Sequence, residues 1–386
     1  MSNRPSTIAA LLAAAAVASC AAARPASAAP EPYLVGAVVS ESGPASTLGR
    51  PAADSIQLAV DEINAAGGIG GHRLDLVVAD DESNPTSAVN ALRRLLDRHP
   101  VAVIGSSGTP TSLAMAPVAE AAHVPLVSLG SSAQIVEPLA ERRWIFKIPV
   151  ADTYIAQKLQ QAMKARGLTR IAMIYRDDDY GKTGVAHFTE TGKAFGIQVV
   201  DAEPIAPSAT DATTQLTHVK AANPQAVLVW TTLPSATVVA KAYRELALPY
   251  PLYYSEGSAN PLFLAQAGSA ANGVIFATEK AAVANELPAS DPQKNVLVHY
   301  ATEFAKRYPK DGPPSIFGGF GYDAVFVLAD ALRHASGGEA LRSALEHVSY
   351  VGVSGPYHMT PSDHNGLGIA AVELAEDVDG KFVVRR

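Results

Sequence analysis

Three short turns rich in glycine and serine hold the residues best suited to gripping a small charged molecule. Gly105-Ser106-Ser107-Gly108-Thr109 follows a fully apolar run at 101–104 and precedes a helical stretch. Ser128-Leu129-Gly130-Ser131-Ser132 closes a second run at 125–128. Both offer free backbone N–H groups and hydroxyls near the positive end of a helix, which suits a carboxylate. The same composition also makes ordinary helix N-caps, so the residues alone leave both roles open. The third turn, Ser255-Glu256-Gly257, follows an aromatic strand at 252–254. Its glutamate is either a solvated loop residue or, opposite a carboxylate-binding turn, the partner of an ammonium group. Two poles of opposite sign are what a zwitterion requires.

Other candidate chemistry is weaker. Asp177-Asp178-Asp179 gathers carboxylates of the kind that suit hard cations. Successive residues do not readily face one ion, however, and no calcium-loop spacing follows, so a charged loop is expected. The ten histidines are scattered without a His-x-x-x-His pair or a cysteine partner, and no metal site is expected. His358, Asp363 and His364 sit beside Asn365-Gly366, where a hairpin loop accounts for them. The glycines of 67–71 follow a helical stretch and precede a strand, the reverse of what a pyrophosphate-binding loop needs. Gly-x-Ser-x-Gly and Walker-type motifs are absent, and position justifies no Ser/His/Asp trio. Neither a catalytic residue nor a cofactor is expected.

The elements that position these turns alternate. Residues 33–39, 74–78, 101–104 and 125–128 read as strands, and 51–66, 86–98 and 111–122 as helices, with Pro117 predicting a kink or late start in the last. After 147–150 the rhythm begins again, with strands at 170–175, 198–203, 226–230 and 252–254 and helices at 152–166, 180–195, 213–222 and 235–246. Helices at 291–308, 316–334 and 338–348 follow, and short strands near 369–374 and 382–384 end the chain. Such alternation predicts parallel sheets covered by helices on both faces, and the absence of period-2 patterning in the strands agrees with burial on both sides. Two runs predict an α/β protein of two Rossmann-like lobes.

The chain has 386 residues, enough for two domains, and 48% hydrophobic with 17% charged residues is the balance of a globular protein. Residues 1–28 read as a signal peptide: Arg4, an apolar stretch at 8–18 too short to span a bilayer, and Ala26-Ser27-Ala28 as a small-residue cleavage site. Cys20, after Val17-Ala18-Ser19, resembles a lipoprotein signal instead, so either a lipid anchor at Cys20 or cleavage after Ala28 is open. Either places the mature chain in the periplasm. The whole chain has a net charge of −7. Loss of Arg4 and Arg24 leaves 28 basic against 37 acidic residues, or −9, which disfavours nucleic acid as a partner.

Five segments in order carry a resemblance: Gly67-Gly68-Ile69-Gly70-Gly71, Asp80-Asp81-Glu82-Ser83-Asn84-Pro85, Val103-Ile104-Gly105, Tyr175-Arg176-Asp177-Asp178-Asp179-Tyr180-Gly181 and Gly321-Tyr322-Asp323-Ala324. At this spacing, over about 33–384, the chain resembles the branched-chain amino-acid-binding proteins of periplasmic ABC importers. The resemblance implies a type I periplasmic binding protein: two lobes joined by a three-stranded hinge, with later crossings near Thr278 and 350–355. It divides the chain into a first lobe of 32–148 plus 279–352 and a second of 149–278 plus 353–386.

It also implies roles. Thr109 falls where the family places a hydroxyl on the ligand carboxylate, within the turn that includes Ser107 and Gly108. Ser131 and Ser132 fall on an Ala-Thr pair that holds carboxylate and ammonium, here without the methyl. Tyr180 matches a tyrosine closing over the ligand, and Glu256 the acid paired with the α-amino group. Leu48 stands where an aromatic is common, and Trp230 in a stretch that often faces the pocket. With Phe317 these are candidate apolar walls, or alternatively core filling. The expected function is a monomeric solute-binding component, not an enzyme, that delivers a branched-chain or related amino acid to an inner-membrane permease. The alternatives are a binder of aryl or short-chain carboxylates and a ligand-sensing receptor.

Overall fold

A computed structural model of the chain describes residues 30–385. The signal segment and Cys20 lie outside the described residues. The first sheet contains β1 (Tyr33–Val39), β2 (Leu74–Asp80), β3 (Ala102–Gly105), β4 (Leu126–Ser128) and β5 (Ile145–Lys147) in the order β2-β1-β3-β4-β5, all parallel. Between them run α1 (Ser46–Ala65), α2 (Pro85–Leu96) and α3 (Thr109–Ala122). Asn84 starts α2 by accepting hydrogen bonds from the Thr86 and Ser87 amides, with Pro85 at the first helical position, where its missing N–H costs nothing.

The second sheet begins after α4 (Asp152–Ala165). It is built through β6 (Arg170–Arg176), α5 (Asp179–Gly192), β7 (Gln198–Ile205), α6 (Thr213–Ala221), β8 (Ala226–Trp230), α7 (Ser235–Glu245), β9 (Leu252–Tyr254), α8 (Pro261–Ala267) and β10 (Ile275–Glu279). The chain then leaves it for α9 (Lys294–Arg307), α10 (Ile316–Leu332) and α11 (Gly338–Leu345), with α10 packed along α1 of the first lobe. A small hairpin, β11 (Ser349–Val351) and β12 (Pro356–His358), leads back to β13 (Val372–Val378) and β14 (Lys381–Val384). The sheet order is β14-β13-β10-β9-β8-β6-β7.

The expected two-lobed α/β architecture is therefore present, with differences that include three elements not foreseen, β5, α8 and β10. The last two strands of the second sheet, β13 and β14, are antiparallel and lie at one side of an otherwise parallel sheet, as mixed sheets commonly arrange them. The hairpin β11–β12 was not foreseen. Pro117 lies inside α3 without delaying its start, and α1 begins at Ser46, ahead of Pro51.

Charged groups accumulate where the chain passes between lobes. Lys147, Asp152, Glu279 and Asp323 are fully buried there. The Lys147 ammonium donates to the carbonyls of Ser131 (3.2 Å) and Pro149 (2.6 Å). Burial pushes it down to about 8, against the opposing pull of Asp152, Glu256 and Glu279. Asp323 accepts from the Val353 and Ser354 amides (2.8 and 2.7 Å) and from the Tyr357 hydroxyl, which ties α10 to the returning chain. Asn365, in the loop after β12, donates to the carbonyls of Lys147 (3.0 Å) and Pro149 (2.9 Å).

Candidate functional site

The turn after β3 is held from beneath by a chain of buried hydroxyls. The Ser106 hydroxyl donates to Asp81, Thr111 donates to Ser106 (2.7 Å), and Ser112 donates to the Ser106 carbonyl (3.1 Å). Ser107 Oγ accepts from the Ser40 amide at 3.3 Å. This scaffolding leaves Ser107, Gly108 and Thr109 at the start of α3 facing a cavity of about 280 Å³ between the lobes. Thr109 Oγ1 is buried and has no hydrogen-bond partner among the described residues. An unmet buried hydroxyl at a helix start is costly unless something else supplies its partner.

Ser131 reaches the same cavity from the turn after β4, while Leu48 and Phe317 form its apolar side with Phe320. The second lobe contributes Tyr180, from the first turn of α5, and Glu256, just past β9. The Tyr180 hydroxyl donates to Glu256 Oε1 (3.2 Å) and lies 2.9 Å from Ser255 Oγ. Glu256 is only 2% exposed, and its Oε2 has no hydrogen-bond partner among the described residues. Burial pushes the Glu256 carboxyl up to about 7, and the nearby Ser131 and Tyr180 side chains restrain the rise. Burial also drives the Tyr180 phenol well above its ordinary value, with the Glu256 charge adding to it.

Eight of the ten residues singled out in the sequence thus line one cavity: Leu48, Ser107, Gly108, Thr109, Ser131, Tyr180, Glu256 and Phe317. Two do not. Ser132 is fully buried and accepts from the Gln134 amide, capping a short 3-10 turn at Ala133–Ile135. Trp230 is also fully buried and stands behind Tyr180, their ring centroids 6.2 Å apart, so it supports the wall without forming it. Both faces of β8 are buried, and the strand end turned this ring into the core.

The cavity also has a residue that the sequence reading passed over. Arg176, the last residue of β6, is 8% exposed and lines the wall. It pairs through Nε with Asp178 and donates from Nη1 to Thr232. The acidic run beside it has separate duties: Asp178 Oδ1 accepts from the Gly181 amide to cap α5, and Asp177 pairs with Lys182. The strand-end motif itself was a signal, since a cation entering an acidic run needs a reason to be there.

A model of the periplasmic binding protein family matches residues 32–380. The chain belongs to the periplasmic binding protein family. Among curated relatives, a "Leu/Ile/Val-binding protein homolog 7" of Brucella abortus is 32% identical over 207 residues, 50% of this chain and 51% of that protein. A "homolog 8" from the same species is 31% identical over 174 residues, 43% of each. The chain thus spans about half the length of the curated relatives it matches. An extracellular ligand-binding receptor from Rhodopseudomonas palustris HaA2 superposes with a TM-score of 0.85 at 28% identity, covering 92% of this chain and 99% of that one. A branched-chain amino acid transporter substrate-binding protein of Streptococcus pneumoniae, solved with isoleucine, has a TM-score of 0.79 at 22% identity, covering 91% and 97%; at that identity it bears on the fold alone. These relatives and neighbours are solute-binding proteins or ligand-binding receptors, and this periplasmic binding protein is not an enzyme. The family works outside the cytoplasm. Among the described residues no helix is long and apolar enough to cross a membrane.

Proposed function

We propose that the protein is the solute-binding component of an ABC importer and takes up an α-amino acid, branched-chain or related, between its lobes for delivery to an inner-membrane permease. One observation carries this reading. Two buried polar atoms without partners among the described residues, Thr109 Oγ1 of one lobe and Glu256 Oε2 of the other, belong to residues that line a single cavity. A carboxylate beside Thr109, Ser107 and Ser131 and an ammonium beside Glu256 would satisfy both at once. Contacts divided in this way exist together only when the lobes close, so ligand affinity and closure are coupled. Leu48 and Phe317 favour an apolar side chain.

The test is titration of the mature chain with α-amino acids and with aryl and short-chain acids lacking the amino group, followed by tryptophan fluorescence. Trp230 lies directly behind Tyr180, so occupancy is expected to change its emission. Binding confined to acids without the amino group would replace this reading with carboxylate transport. The names of the curated relatives point to Leu, Ile and Val as the first members of the panel.

A pH dependence follows from Glu256. Its folded-state carboxyl titrates at about 7, above the ordinary 4.5, so the ligand-free site holds a proton below neutrality. An ammonium ligand needs the carboxylate form. Affinity is therefore full above about 7 and falls as pH drops through that value, becoming roughly tenfold weaker at pH 6 than at pH 8. Calorimetric titration at the two pH values checks this, and equal affinities would remove Glu256 as the ammonium partner.

A further inference from the structure

Arg176 is the one cationic side chain on the cavity wall among the described residues, and it needs an explanation. The guanidinium has five N–H donors in a planar fork. Nε is taken by Asp178 and Nη1 reaches Thr232, while Nη2 has no protein partner among the described residues. The side chain is nonetheless nine-tenths buried, in a cavity whose other walls include Leu48, Phe317 and Phe320. Charged donors that open onto the cavity become costly to leave unmet once the lobes close and exclude water.

A structural duty does not account for it. The start of α5 is already capped by Asp178 Oδ1, and Thr232 is a hydroxyl that water or backbone could satisfy. Neither requires a guanidinium directed into the cleft. The ammonium and carboxylate of the ligand are already provided for by Glu256 and by the Thr109 turn. What remains is the ligand's side chain.

We propose that Arg176 is a specificity-determining residue whose free Nη2 receives an oxygen acceptor, a carboxylate or carboxamide, at the tip of the ligand's apolar stem. This deepens the amino-acid reading above and rests on it. It moves the preferred ligand from a branched hydrocarbon to an oxygen-bearing molecule of the same shape. Such discrimination is strong because a site built to hydrogen-bond a substrate group leaves its own polar atoms unpaired when the group is missing.

Shape-matched pairs make the test. Leucine has the outline of asparagine and aspartate, and homoleucine that of glutamine and glutamate. Titration of the unaltered mature chain is expected to show an oxygen-bearing member bound at least about tenfold tighter than its hydrocarbon partner. R176M, which keeps the stem but removes the donors, should reduce that preference to within about twofold by weakening the oxygen-bearing member more than its hydrocarbon partner. R176K should retain part of it, preferentially for carboxylates. Melting temperatures of the variants confirm folding, and the comparison within the unaltered protein needs no variant at all.

Tighter binding of the hydrocarbon member in both pairs would overturn the role of Arg176 while leaving the amino-acid reading intact. Equal weakening of both members by R176M would reduce the arginine to a prop for the start of α5, and would overturn the role too. Binding of no α-amino acid by the unaltered chain would instead remove the amino-acid reading, and this inference with it.

Discussion

Replacing Glu256 with alanine is expected to weaken α-amino-acid binding by about 2 kcal/mol, roughly thirtyfold, at pH 8. The carboxyl is buried, one oxygen is held by Tyr180, and the other has no partner within the protein. A group in that position costs stability while empty and returns it when an ammonium arrives. The substitution should therefore leave the ligand-free protein as stable as before, or more stable, at pH 8, where the buried carboxyl is ionised at a cost. The loss should disappear for ligands without the amino group, because they do not use this carboxylate. Calorimetry with matched amino and des-amino acids measures both effects. An unchanged affinity for the amino acid would dismiss the assignment of this pole.

Gly105→Ala is expected to destabilise the first lobe by about 4 kcal/mol and to abolish ligand binding with it. The residue ends β3, where its φ is +121°, a region that side chains other than glycine rarely adopt. A Cβ there would lie 1.8 Å from the Val38 carbonyl oxygen in β1, the next strand. Backbone on both sides is held by sheet pairing, so neither strand yields without breaking the register. The Ser106–Thr109 turn begins at the next residue and would be displaced. Thermal unfolding and ligand titration of the variant test this together, and a melting temperature within a few degrees of the parent would refute it.

That glycine also marks what the sequence made legible. Strands β3 and β8, buried throughout, read as continuous apolar runs because parallel strands covered on both faces have no polar side to show. The turns that follow them stood out by composition, and the cavity lies at those turns. Strand β14 lies where the sequence placed it, whereas β13 was placed a few residues early and the hairpin β11–β12 was missed, because short or partly exposed strands have little pattern. Trp230 could not be assigned to the wall or the core, since on a strand buried on both faces alternation does not separate them.

Charged residues were hardest to read. Arg176 opens a run of four charged residues, and spacing does not reveal which one turns inward. Lys147, Glu279 and Asp323 are scattered along 177 residues of sequence, from 147 to 323, and meet only because the chain passes repeatedly through one region. Burial of such groups follows from tertiary neighbours that local propensity does not contain.

The grip of Asn365 on the carbonyls of Lys147 and Pro149 has a mechanical meaning. One amide group fastens a late-arriving segment to the first bridge, so these two straps must bend in step. Any relative motion of the two halves must therefore carry these two segments together.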